Sequence, residues 1–328
     1  MNGGRHPERA PRGGVSRGIC LSIALVCVFA CATPAPAPPI AEVEAVSLLG
    51  DTLYRPLLDP AVAERYEANL DSARITYLAD TTSADALIWL GRRTAYLGRY
   101  REAIDIFSRG VERFPDDARF LRHRGHRWIT VREFDRAIDD LARAAHLIAG
   151  KPDEVEPDGL PNARNIPTST LQSNIWYHLG LAQYLKGEFE QALSAYQQET
   201  AVANNPDMLV ATSWWRYLTL RRLDQAAAAD SVLQPISADL EVIENQSYHR
   251  LLLLAKGELT VDELLERDQD GDAPADAAVQ YGVGAWLMLE GRRERADSLF
   301  RDLVANGNWA AFGVIAAEAE LQRTEPPR

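Results

Sequence analysis

The chain has 328 residues, 46% of them apolar, which suits a sizeable buried core and is too many for a disordered chain. Acids outnumber bases by 47 to 35, giving a formal net charge of −12, and most bases sit among acids in helical segments. That balance argues against nucleic-acid binding. The first elements in chain order stand apart from the rest. Arg5, Arg9, Arg12 and Arg17 give a positive start, followed by the apolar run Ile19–Ala30. This run is too short to span a bilayer as a permanent helix and reads as an export signal over residues 1–30.

The signal ends in "VFAC", Val28 to Cys31, followed by "ATPAPAPP". The stretch resembles a bacterial lipoprotein signal. The resemblance implies cleavage before Cys31, a diacylglycerol on its thiol and, with Ala32 rather than Asp next, an outer-membrane address facing the periplasm. The alternative is an ordinary secretory signal cut after Ala30 or Ala32. Cys20 and Cys27 lie inside the signal, so Cys31 is the last cysteine and the mature chain has no internal disulfide. Residues 31–40 read as a stiff Pro/Ala spacer.

Residues 41–328 read as one array of helices, interrupted by an inserted loop over 150–170. Asp59–Pro60 is a cap followed by proline at the first helical position, and a helix follows it. A repeat then begins. In "LIWLGRRTAYLGRYREAIDIFSRGVERFP", Leu90–Gly91, Gly98, Tyr100, Ala103, Phe107 and Pro115 fall at the spacing of the tetratricopeptide repeat, which this segment resembles. A shift of 34 residues turns Gly91, Tyr100 and Ala103 into Gly125, Phe134 and Ala137. The third copy carries Gly180, Gly187, Phe189, Ala192 and Tyr196, and the sixth carries Gly284, Gly291, Ala296 and Phe300. Repeats are placed near 84–117, 118–149, 173–206, 207–240, 243–275 and 277–308, with a capping helix over 308–323. The resemblance implies an all-α, right-handed superhelical solenoid of tetratricopeptide-like helix pairs.

The third copy comes 21 residues late. The excess is the loop 150–170, "GKPDEVEPDGLPNARNIPTST", which mixes acids, prolines, Asn and Arg as an ordered loop does. In tetratricopeptide arrays the first helix of each pair lines the concave surface. By phase that places Trp89, Arg92, Tyr96, Arg122, His123, His126, Tyr177, His178 and Tyr184 on one inner wall. Such a basic and aromatic wall on an acidic protein suits an anion or peptide groove, with the histidines adding charge below about pH 6.5. The loop is expected to lie across it as a flap. Its acids would pair with Arg92, Arg122, His123 or His126, and Asn162, Arg164 and Asn165 would supply polar groups.

No catalytic motif is present: no Gly-x-Ser-x-Gly, no His-Glu-x-x-His and no P-loop. "DQDGD", Asp268–Asp272, has Gly at the fourth position of a would-be calcium loop and Val279 at the twelfth, and reads as a polar turn. No cofactor or metal is expected. The leading reading is a non-catalytic cell-envelope scaffold that binds a protein or peptide partner, acidic in the sharper form, and meets the membrane through its lipid anchor only. The alternative is a small-molecule or anion-binding protein, or an enzyme, that uses the Arg/His wall and the flap.

Overall fold

The computed structural model describes residues 42–267 and 273–324. Cys31, the signal, the spacer and the Asp268–Asp272 turn lie outside them. The first element is one the repeat pattern does not announce. It is a two-stranded antiparallel hairpin of β1 (Val43–Val46) and β2 (Thr52–Tyr54), which pairs Val43 with Tyr54 and Val46 with Thr52. Glu44 turns inward from β1, buried, and accepts a bond from the Arg101 backbone N–H at 2.9 Å.

α1 (Pro60–Ala79) begins at Asp59, whose carboxylate accepts from the N–H groups of Ala61 and Val62. Helix pairs follow: α2 (Ala84–Tyr96) with α3 (Tyr100–Arg113), α4 (Ala118–Thr130) with α5 (Phe134–Ile148), and α6 (Leu171–Lys186) with α7 (Phe189–Val202). Next come α8 (Pro206–Arg222) with α9 (Ala226–Leu233), α10 (Gln246–Ala255) with α11 (Val261–Arg267), and α12 (Ala273–Leu289) with α13 (Arg293–Asn306). Four of the pairs, α2–α3, α4–α5, α6–α7 and α12–α13, close because a glycine on the first helix admits a ring or branched chain from the second. A Cβ on Gly180 would stand 2.6 Å from the Tyr196 ring, and one on Gly91 would stand 2.4 Å from Phe107. Ala103, Ala137, Ala192 and Ala296 are fully buried on the opposing helices.

The final helix α14 (Phe312–Gln322) does more than cap the last pair. It packs on α12 and α13 and also reaches α6. Gly313 through Leu321 are buried without a break, so no face of this helix is free. Glu318, 1% exposed, accepts from the Arg132 guanidinium at 3.0 Å and from the Leu48 backbone N–H at 3.1 Å. Arg323 donates to the carbonyls of Tyr184 and Leu185. The C-terminal helix is therefore tied at once to the hairpin, to the α4–α5 turn and to α6.

Candidate functional site

The first helices α2, α4 and α6 bring most of the expected wall together. The α2 side chains begin it. Arg92 stacks on Trp89 with its guanidinium carbon 4.4 Å from the ring centroid, and Arg93 lies over the same ring at 4.9 Å. On α4, the Arg122 Nη1 sits 3.1 Å from His123 Nδ1 and 3.5 Å from His126 Nδ1. Arg122 can only donate, so both Nδ1 atoms accept and each ring carries its proton on Nε2. On α6, His178 Nδ1 lies 2.6 Å from the Asn174 carbonyl and so holds a proton there. The His126 and His178 rings are 4.5 Å apart.

Burial and the neighbouring guanidiniums hold all three imidazoles neutral. The pKa values of His123, His126 and His178 are pushed well below the ordinary 6.5, chiefly by desolvation and then by nearby cations. The expectation that they add charge below about pH 6.5 is therefore corrected: a protonated imidazole here would face Arg122 and Arg127 with little water to screen them.

The wall is also not an open groove. The loop 150–170 lies over it as an ordered strap. The strap is pinned by the Leu171 N–H to the Glu154 carbonyl at 2.9 Å and by the Val155–Thr170 bridge. Glu156 reaches down between the helices. Its carboxylate stands 2.9 Å from Arg122 Nε and 3.8 Å from His123 Nε2, with Arg122 and Glu156 both buried. Arg92 donates to the Pro157 carbonyl at 2.7 Å, and Arg93 donates to the Gly159 carbonyl at 2.9 Å. From the other side, Phe312 at the start of α14 packs on His126 and His178, with ring centroids 5.1 and 5.7 Å away.

Several expected residues fall elsewhere. Tyr184 is core rather than lining: it is fully buried, edge-on to Trp215 and bonded to the Tyr281 hydroxyl, because α12 and the C-terminal segment cover that end of α6. Tyr177 faces inward but spends its hydroxyl on Tyr248 and Trp215. The strap residues expected to serve the wall do not reach it. Asn162 bonds to the Ile166 carbonyl and to Glu244 on the far side, while Arg164 and Asn165 are exposed. A strap this short turns back through a tight Asn162–Asn165 bend, which points those side chains outward. Sequence reasoning missed Arg93 and Arg127. Arg127 lines the same space as Arg92, Arg122 and Glu156, and its guanidinium lies 5.5 Å from the Tyr100 ring. The signal for Arg127 was present in the basic run of α4, where three other arginines hid it, and Arg93 directly follows Arg92 on α2.

Among known proteins, the tetratricopeptide-repeat family profile matches residues 175–198, which span most of α6 and most of α7. The chain is an array of tetratricopeptide-type helix pairs. No curated protein matches it. Among solved structures, the crystal structure of MamA is similar at 17% identity, with a TM-score of 0.40 over 62% of this chain and 100% of that one. The structure of Naa15/Naa10 bound to HypK-THB gives 14% identity and a TM-score of 0.35 over 77% of this chain and 36% of that one. The APC/C hetero-tetramer Cut9-Hcn1 gives 15% and 0.32 over 78% and 47%.

Proposed function

We propose that this is a non-catalytic interaction protein of the bacterial envelope that docks an acidic, extended segment of a partner on the α2/α4 wall, in place of its own strap. One observation carries the reading. The wall already grips such a segment in cis: Arg122 holds the Glu156 carboxylate while Arg92 and Arg93 hold the next backbone carbonyls, at Pro157 and Gly159. Charge on one side chain plus main-chain carbonyls at alternate positions is how an extended peptide is recognised. The strap would then set a threshold, since a partner must outcompete an intramolecular ligand held at high effective concentration.

The test uses the strap as probe. A labelled peptide of residues 153–162 should bind a variant in which 153–167 is replaced by a short Gly/Ser linker, and should bind the parent far more weakly. Binding should fall with added salt and with Glu156→Gln in the peptide. A strapless variant that melts like the parent and ignores the peptide would end this reading. The anchor is tested separately: Cys31→Ser should release the protein from membranes or leave the signal uncleaved. Among the described residues no helix is long and apolar enough to cross a membrane.

A further inference from the structure

Beneath the strap, between α2, α3 and α4, lies a cavity of about 130 Å³. That is about ten times the space needed to seat one water. Three guanidiniums line it, those of Arg92, Arg122 and Arg127, against the single carboxylate of Glu156. Arg122 is paired with Glu156. Arg92 is held by a carbonyl and the Trp89 ring. Arg127 has no carboxylate partner and no side-chain hydrogen bond among the described residues, only the face of Tyr100. The other polar groups at the cavity are mainly donors: the Nε2–H groups of His123 and His126, whose Nδ1 atoms are already committed to Arg122, and the Tyr96 hydroxyl.

Arg127 is part-buried, and a cation largely withdrawn from water without a counter-charge is costly and is seldom kept without a use. Desolvation, with Arg122 adding to it, holds the Arg127 pKa down to about 10, so the guanidinium stays charged at neutral pH. The histidines cannot balance it: neutral they carry no charge, and protonated they would add to it. The cavity therefore carries an excess of two positive charges among donors. A second cavity, of about 190 Å³, shares Arg92, His123 and Glu156 with the first.

From this geometry we infer that the space beneath the strap is a binding site for a small dianionic oxyanion of the phosphate or dicarboxylate class, held between Arg92, Arg122 and Arg127, with Glu156 as the internal counter-ion that the ligand displaces. Three planar forks can meet the oxygens of one anion from different directions, which a single surface arginine cannot do. The inference goes beyond partner docking and holds whether or not a partner peptide binds.

Two variants with opposite expected effects test it, with inorganic phosphate and succinate as probes and sodium chloride at equal ionic strength as the reference. In thermal denaturation of the purified protein, phosphate or succinate should raise the melting temperature by about 5 °C at a hundredfold excess over Kd, with no rise in chloride. Arg127→Leu should abolish that response while melting at or above the parent's temperature without ligand, because it removes an unpaired, part-buried charge. Glu156→Gln should bind the same probe about tenfold or more tightly by calorimetry, because the competing carboxylate is gone. A parent that responds to neither probe overturns the inference. So does an Arg127→Leu variant that keeps the response, or a Glu156→Gln variant that binds no tighter.

Discussion

Replacing Glu199 with glutamine should stabilise the protein at alkaline pH and leave it nearly unchanged at acid pH. Glu199 lies in the last turn of α7 and is 2% exposed. Burial pushes its pKa up to about 8, opposed only by the Thr212 hydroxyl, with no cation offsetting the desolvation. The unfolded chain releases this proton near 4.5, so between 4.5 and 8 the folded state holds one more proton than the unfolded. Stability therefore falls as pH rises through that window, at about 1.4 kcal/mol per unit, and the loss levels off above 8. The full penalty is on the order of 5 kcal/mol. Glutamine keeps the shape and carries no proton to lose, at about 1 kcal/mol for a different hydrogen-bond pattern. Urea unfolding of both proteins from pH 5 to 8.5 isolates the effect, because every other titration, including that of the buried histidines, is common to both and cancels in the difference. The variant should run from within about 1 kcal/mol of the parent at pH 5 to roughly 3–4 kcal/mol above it at pH 8. A difference that does not change with pH would refute the reasoning.

The buried histidines act on the other side of neutrality. His123, His126 and His178 are neutral when folded and would protonate near 6.5 when unfolded. The parent should therefore lose stability steeply as pH falls below 6.5, by up to about 4 kcal/mol per unit if all three contribute, measured by urea unfolding at pH 5–7. Gly180→Ala should lower the melting temperature through overpacking against Tyr196, at ~1–3 kcal/mol; unchanged melting by circular dichroism would mean that α6 and α7 do not meet there. Glu318→Ala should cost about 3–5 kcal/mol because it strands Arg132, and should speed amide exchange throughout α14. Pairing it with Arg132→Met should recover much of that loss, read from urea unfolding of the double variant.

The fold was legible because its packing rule repeats. A small residue on one helix faces a large one on the next, as at Gly91 with Phe107 and Gly180 with Tyr196, and the sequence states both members at fixed spacing. The β1–β2 hairpin was not legible. It is short, half-exposed and held by Glu44 and Arg101, contacts that only the folded array creates. At the wall, phase alone identified α4 and its Arg–His cluster, and the acidic strap suggested a partner for it. Which acid would reach in was not legible. Glu156 is distinguished from Asp153, Glu154 and Asp158 only by where the bend of the strap places it. The neutrality of the histidines was equally hidden, since it follows from Phe312 and the strap closing over them from opposite sides.

Arg132 shows how the array makes that closure. It stands 34 residues after Gly98, at the inter-helix turn position, and both adopt the left-handed backbone, with φ of +72° for Gly98 and +66° for Arg132. Glycine takes that conformation freely, whereas arginine pays about 1 kcal/mol or more. The strain is outweighed by what the side chain reaches from there: the buried Glu318 carboxylate, the Trp309 carbonyl at 2.8 Å and the Trp309 ring. A glycine would relax the turn and leave Glu318 charged with only the Leu48 N–H beside it, a larger loss than the strain it relieves. The departure from the repeat consensus is thus the tie between the second helix pair and the C-terminal helix. Phe312, the first residue of that helix, is the ring that covers His126 and His178. The same tie that holds α14 in place therefore also closes one side of the basic wall, while the strap closes the other.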